Sequence, residues 1–97
     1  MWGLIVSIIM GIGALAAGVA VYTLVVSYVN EWQLREIAQA NASQVGSFNK
    51  IVVESLSRGA VSHVHIGLFE NSEKAAVIKI SADEIDDDLE LGDVIYC

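Results

Sequence analysis

The chain has 97 residues, a formal net charge of −7 and 55% hydrophobic residues. This length allows at most one small domain beside a long apolar segment. The acidic balance argues against nucleic acid and against anionic lipid headgroups as partners.

The one cysteine, Cys97, excludes a disulfide within the chain. It either pairs with another subunit or is simply the last residue.

The first thirty residues contain no charged side chain, and the first charge is Glu31. The apolar run from Met1 to Val29 is longer than the roughly 20 residues that a helix needs to cross a bilayer. It also exceeds the ~7–15 apolar residues of a signal peptide, and no basic residue precedes it. We therefore expect this segment to belong to the working protein and to be buried in lipid or in copies of itself.

Small residues recur along this segment at the spacing of one helical face. Such stripes allow helix backbones to approach closely, although small residues are also simply common in membrane helices. The predicted helix-packing interface consists of Gly3, Ser7, Gly11, Ala14 and Gly18.

A helical period continues beyond Asn30, with polar residues on the opposite face. Arg58 followed by Gly59 is typical of a helix end. The pattern predicts one helix from about Trp2 to Arg58, whose second half is amphipathic. Within that half, we expect Phe48, Val52 and Leu56 to pack against a sheet.

The remaining sequence alternates as strands do. AVSHVHIGLF and KAAVIKIS predict a β-hairpin around a Glu70–Glu73 loop, and VIYC predicts a short final strand. The expected fold class is α+β, with one long N-terminal helix followed by a small antiparallel sheet. The expected segments are a hydrophobic helix at 1–30, its amphipathic continuation at 31–58 and a small β domain at 59–97.

Candidate metal sites are weak in this sequence. His63 and His65 share a strand face, but tetrahedral zinc needs two more ligands, one of which the acidic stretch could lend. That stretch lacks the glycine at the sixth position of an EF-hand loop, so a solvated loop is the simpler interpretation, with loose calcium binding as the alternative. Its acids are Asp83, Glu84, Asp86, Asp87, Asp88, Glu90 and Asp93.

The sequence shows no convergent catalytic group, so we expect neither an enzyme nor a cofactor. The glycines of GIGALAAG lie inside the predicted apolar helix and do not follow a strand as a phosphate-binding loop would. Asn41 begins an Asn-Ala-Ser glycosylation sequon, which would be used only if this part of the chain is extracellular.

In layout the chain resembles the archaeal type IV pilin and archaellin superfamily. The resemblance rests on the uncharged start, the glycine-containing run GIGALAAGVAVYTLVV, the long helix with an amphipathic second half, and the small β domain. Ile5 stands where bacterial pilins carry a glutamate, a departure that archaeal members tolerate. The resemblance implies a structural subunit of a helical surface filament, without catalytic residues, which resides in the membrane before assembly.

The partners expected from this interpretation are copies of the chain and membrane lipid, with no nucleic acid and no small-molecule substrate. The alternative is a single-span membrane protein, either an anchor subunit of a larger complex or a structural protein of a membrane-containing virus. All five basic residues follow the apolar run, so the positive-inside tendency would place the C-terminal part of such an anchor in the cytoplasm.

Overall fold

The computed structural model describes residues 9–12 and 19–96. Within these residues, six strands form one mixed sheet in the order β1-β2-β5-β4-β3-β6. The predicted fold of a long helix followed by a small sheet is therefore wrong. The elements are β1 (Ile9–Ile12), β2 (Ala20–Val29), α1 (Glu31–Ala40), α2 (Ala42–Val45), β3 (Lys50–Ser57), β4 (Ser62–Glu70), β5 (Glu73–Ile85) and β6 (Val94–Tyr96).

Strand β2 occupies part of the run that was predicted to be an apolar helix. Seven of its ten residues, AVYTLVVSYV, are Val, Thr or Tyr, which favour strands. It lies between β1 and β5 and pairs with β5 in parallel. Strands that are buried within a sheet read as near-continuous apolar runs, as membrane helices do. Burial accounts for the apolar residues on the inner face of β2, such as Tyr22 and Leu24, whereas Thr23 and Val25 on its other face are exposed.

Helix α1 begins directly after β2 and has ten residues. The side chain of Asn30 accepts a 2.7 Å hydrogen bond from the backbone N–H of Gln33, which is the bond of an N-cap. The helix ends at Asn41, whose side-chain nitrogen donates to the carbonyl of Ile37 at 2.8 Å. After α2, Gly46 turns the chain with a φ of 92°, a value that favours glycine. The predicted continuation of the helix to Arg58 is wrong, because β3 follows.

The predicted hairpin is confirmed. Strands β4 and β5 pair antiparallel, and the connecting turn is shorter than expected, at Asn71 and Ser72. The alternation is also confirmed, since Val64 and Ile66 are fully buried while His63 is exposed. The predicted final strand is present as β6, paired antiparallel with β3.

The connection from β2 to β3 passes through the two helices. Strands β3, β4 and β5 form an antiparallel meander, and β5 runs parallel to β2. Strand β3 therefore runs in the same direction as β2, and such parallel strands need a long crossover of the kind that α1 and α2 supply.

The core lies between α1 and one face of the sheet. Leu34, Ile37 and Ala38 of α1 join the same buried cluster as the inward-facing residues of β2 to β6. Each fully buried aliphatic side chain of this kind contributes about 1.5–3 kcal/mol of transfer free energy. None of the helices in the described part of the chain is long and apolar enough to span a membrane.

Candidate binding surface

The sheet face opposite α1 carries most of the polar side chains of the strands. We call it the open face, because no described element packs over it. Cross-strand pairing sets two adjacent rows on it, Thr23–Lys79–His65 and Val25–Ser81–His63.

The two histidines lie on this face, close to Ser81 and Lys79. The hydroxyl of Ser81 is 3.4 Å from Nδ1 of His63. Partial burial lowers the pKa of His65, and the charges of Lys79 and His63 lower it further, while Glu54 opposes them. Among the described residues, no three His, Cys, Asp or Glu side chains gather where one ion could be held.

An ion pair crosses the open face between β3 and β5. Nζ of Lys74 is 2.8 Å from Oε2 and 3.0 Å from Oε1 of Glu54. The carboxylate lies over Gly67 of the intervening strand β4, where an added Cβ would be only 2.7 Å from Oε2. The absence of a side chain at Gly67 therefore makes room for this contact.

Phe69 brings a second lysine next to this pair. Nζ of Lys50 is 5.3 Å from the centre of the Phe69 ring, and Nζ of Lys74 is 5.6 Å from it. Both distances are within the range of a cation–π interaction. One aromatic ring thus holds two ammonium groups, of which only Lys74 has a carboxylate partner among the described residues.

An open depression of about 310 Å³ lies beside Lys50. Asn49, Lys50, Asn71 and Tyr96 line it. Nδ2 of Asn49 donates to Oδ1 of Asn71 at 3.2 Å, and the backbone N–H of Asn71 donates to Oδ1 of Asn49 at 3.1 Å. Asn71 has a φ of 60°, a left-handed conformation that asparagine tolerates. These two bonds fix the two asparagines relative to each other.

The acidic stretch is ordered through its backbone. Nη2 of Arg58 donates to the carbonyl oxygens of Asp86 at 2.6 Å and Leu89 at 2.9 Å. Leu89 is buried in the core, while Asp87 and Asp88 are exposed. Calcium sites often use backbone carbonyls, and here Arg58 already occupies two of them. Arg58 was predicted to end a helix and instead holds this loop against the sheet.

The end of the sheet at β6 exposes apolar side chains that the sequence interpretation missed. Leu91, Val94 and Tyr96 are 64%, 45% and 70% exposed, and we call them the β6 patch. Nε of Arg35 in α1 donates to the carbonyl of Tyr96 at 3.2 Å, so the helix supports this edge. The alternation of VIYC could have shown that Val94 and Tyr96 share a face opposite Ile95.

Of the predicted helix-packing interface, the structure describes only Gly11, which lies in strand β1. Gly3, Ser7, Ala14 and Gly18 lie outside the described residues, as does Cys97, so this interface stays a prediction.

The residues predicted to pack a helix against the sheet belong to other elements. Phe48 precedes β3, and Val52 and Leu56 lie within it. Phe48 and Leu56 are partly buried against the core, whereas Val52 pairs with Gly67 and Val94 on the open face. Asn41 of the sequon is only 5% exposed, and its side-chain nitrogen is hydrogen-bonded within the chain.

Comparison of the chain with protein-family models, curated proteins and solved structures gives no match.

Proposed function

We propose that this chain is a non-catalytic structural subunit that assembles with copies of itself through the edges of its sheet. The observation that carries the proposal is the β6 patch. Its three apolar side chains lie along the last strand of the sheet or directly before it, where a further strand could pair.

Edge strands provide unpaired backbone groups that can hydrogen-bond to another chain. Within the described residues, β6 pairs only with β3 and β1 pairs only with β2. Arg35 occupies the carbonyl of Tyr96, and the other backbone groups on the free edge of β6 remain for pairing, beside exposed side chains that would gain from burial. Val94 and Tyr96 project to the same face, so one added strand could cover both.

Two arrangements follow from the strand order. Pairing of β6 with β6 of a second copy is symmetric and closes a dimer. Pairing of β6 with β1 of the next copy uses two different surfaces and continues as an open filament or ring. The filament expected from the sequence is retained in this form, with sheet edges in place of the predicted long helix.

The acidic loop, residues 86–93, lies next to the β6 patch. Its negative charge opposes assembly at low salt. Glu90 and Asp93 flank Leu91, and the whole chain carries a net charge of −7. Copies that meet at this edge therefore repel each other. Salt screens such repulsion over about 10 Å at 0.1 M ionic strength, so assembly should strengthen as salt is raised.

The experiment is sedimentation velocity of the full chain over a range of protein and salt concentrations. Val94→Lys places a charge in the patch, and Val61→Lys is the matched control, because Val61 is a comparably exposed valine in the β3–β4 turn. We expect larger species in the wild type and the control, and monomers in Val94→Lys. A wild type that stays monomeric up to millimolar concentration, or a Val94→Lys variant that assembles equally well, would refute the proposal.

The second candidate is a membrane-anchored subunit of a larger cellular or viral complex. It is favoured by the absence of charged residues from Met1 to Val19, although Ile9–Ile12 of this stretch form strand β1 of the sheet. Alkaline carbonate extraction of the native membranes distinguishes the two. Retention in the membrane pellet supports the anchor, and release into the supernatant supports assembly without one.

A further inference from the structure

We propose that the depression lined by Asn49, Lys50, Asn71 and Tyr96 is a binding site for a small anion, either a carboxylate or a phosphate. This site is separate from the proposed self-assembly, although Tyr96 belongs to both surfaces. Three observations carry the proposal: the charge at Lys50, the donors around it and the space between them.

Lys50 is the charged group of the site. Its Nζ lies 5.3 Å from the centre of the Phe69 ring and has no carboxylate partner among the described residues. The neighbouring Lys74 is instead neutralised by Glu54, 2.8 Å away. Lys79 also lacks a carboxylate partner among the described residues, and Lys50 differs from it in lining a depression together with other hydrogen-bond donors. An ammonium group accepts no hydrogen bond, and its natural ligand is an anionic oxygen.

The other lining side chains can all donate hydrogen bonds. The two bonds between Asn49 and Asn71 use Oδ1 of both residues and Nδ2 of Asn49. Nδ2 of Asn71 and the hydroxyl of Tyr96 have no partner among the described residues. The asparagine pair also holds one side of the depression in place, so less conformational entropy is lost when a ligand binds.

The nearest acids in sequence do not neutralise the site. Glu70 and Glu73 are opposite each other in the backbone register at the end of the hairpin. They are adjacent in sequence to Phe69 and Lys74, respectively, and alternation directs them to the opposite face of the sheet. Neither glutamate therefore neutralises the ammonium group of Lys50.

The volume of about 310 Å³ has more than enough room for a single small anion. The exposed ring of Tyr96 provides a flat wall, so an aromatic carboxylate would gain a stacking contact that phosphate lacks. Because the depression is open to water, we expect binding in the millimolar range that weakens as ionic strength rises.

The test is an NMR titration of the ¹⁵N-labelled full chain with sodium phosphate and, separately, with sodium benzoate. Sodium chloride keeps the ionic strength constant, and the protein is kept at a concentration where sedimentation shows monomers. The readout is the set of side-chain amide signals of Asn49 and Asn71. Lys50→Met removes the charge and keeps an apolar stem against Phe69. Lys79→Met is the matched control, an exposed lysine elsewhere on the open face.

We expect saturable shifts at both asparagines, an affinity about tenfold lower in Lys50→Met and little change in Lys79→Met. Shifts with phosphate alone assign the ligand as a phosphate, and shifts with benzoate alone assign it as a carboxylate. If Lys50→Met does not fold, Asn71→Gly serves in its place, because it permits the φ of 60° and removes the amide. Absence of saturable shifts with either anion, or equal affinities in wild type and variant, would overturn the site. Neither result bears on self-assembly, which sedimentation measures independently.

Discussion

The carboxylate of Glu54 lies over the backbone of Gly67, which it can do only because Gly67 has no side chain. A Cβ at that position would be 2.7 Å from Oε2 and 2.8 Å from Cδ of Glu54. The same carboxylate forms the ion pair with Lys74, so strand β4 separates two residues that interact across it.

Gly67→Ala should destabilise the wild type slightly, by up to about 1 kcal/mol, because it displaces Glu54 from Lys74 and such exposed pairs are worth little. In a Glu54→Ala background, Gly67→Ala should instead increase the free energy of unfolding. There the alanine has room, and it should stabilise strand β4 by about 0.5–1 kcal/mol relative to glycine. Urea denaturation of the four proteins measures this cycle. Gly59→Ala, where a Cβ would meet nothing within 4 Å, is the control. If Gly67→Ala changes the free energy of unfolding by the same amount in both backgrounds, the contact between the Glu54 carboxylate and Gly67 is contradicted.

Arg58→Met should release the acidic loop from the sheet. The substitution leaves the carbonyls of Asp86 and Leu89 without their donor, at a cost of about 0.5–1.5 kcal/mol, because water can reach these groups. Hydrogen exchange should accelerate in the loop residues 86–93 more than in strands β4 and β5. Lys79→Met removes an exposed lysine without such bonds and should leave the exchange pattern unchanged. Uniform acceleration across the sheet would indicate a global effect instead.

Stability should fall on acidification through the titration of His65. Its pKa is lowered in the folded state, so between that value and the ordinary 6.5 the unfolded chain binds more protons. The contribution of His65 to the free energy of unfolding is fully present above pH 6.5. It is lost as the pH falls through the folded-state pKa, and below that pKa it no longer changes. Urea denaturation from about pH 5 to 7.5, above most carboxylate titration, measures the slope. His65→Gln should flatten it. His63→Gln should retain most of it, because burial is the largest cause of the shift. A slope unchanged in His65→Gln would assign it to other groups.

Asn41 should remain unmodified in a host that glycosylates secreted proteins. Its side-chain nitrogen is buried and bonded to the carbonyl of Ile37, so the atom that would carry the glycan is not accessible in the folded chain. Intact mass spectrometry measures this. Asn41→Ala should cost about 1–3 kcal/mol, because the end of α1 loses a buried hydrogen bond. A glycosylated, folded protein would show that the Asn41 nitrogen becomes accessible, either before the chain folds or through opening of the helix end.

The hairpin of β4 and β5 and the final strand β6 could be predicted from the sequence, because strict alternation has only one reading. The uncharged run was ambiguous in a way that periodicity could not resolve. A strand inside a sheet and a membrane helix can both lack charge, and the pairing of β2 with β5 shows that this chain forms the strand. The richness of β2 in Val, Thr and Tyr was the available signal for a strand.

The sequence by itself determined which residues are apolar, where the strands of the hairpin turn and which face of each is buried, since these depend on local alternation and turn chemistry. The tertiary structure decided the rest. The Glu54–Lys74 pair joins residues 20 positions apart, and the Arg58 contacts with the acidic loop span 28 and 31. The anion site combines residues 49 and 50 with 71 and 96. Such groups meet only because the strand order places β3 between β4 and β6, and that order depends on long-range pairing that no local pattern encodes.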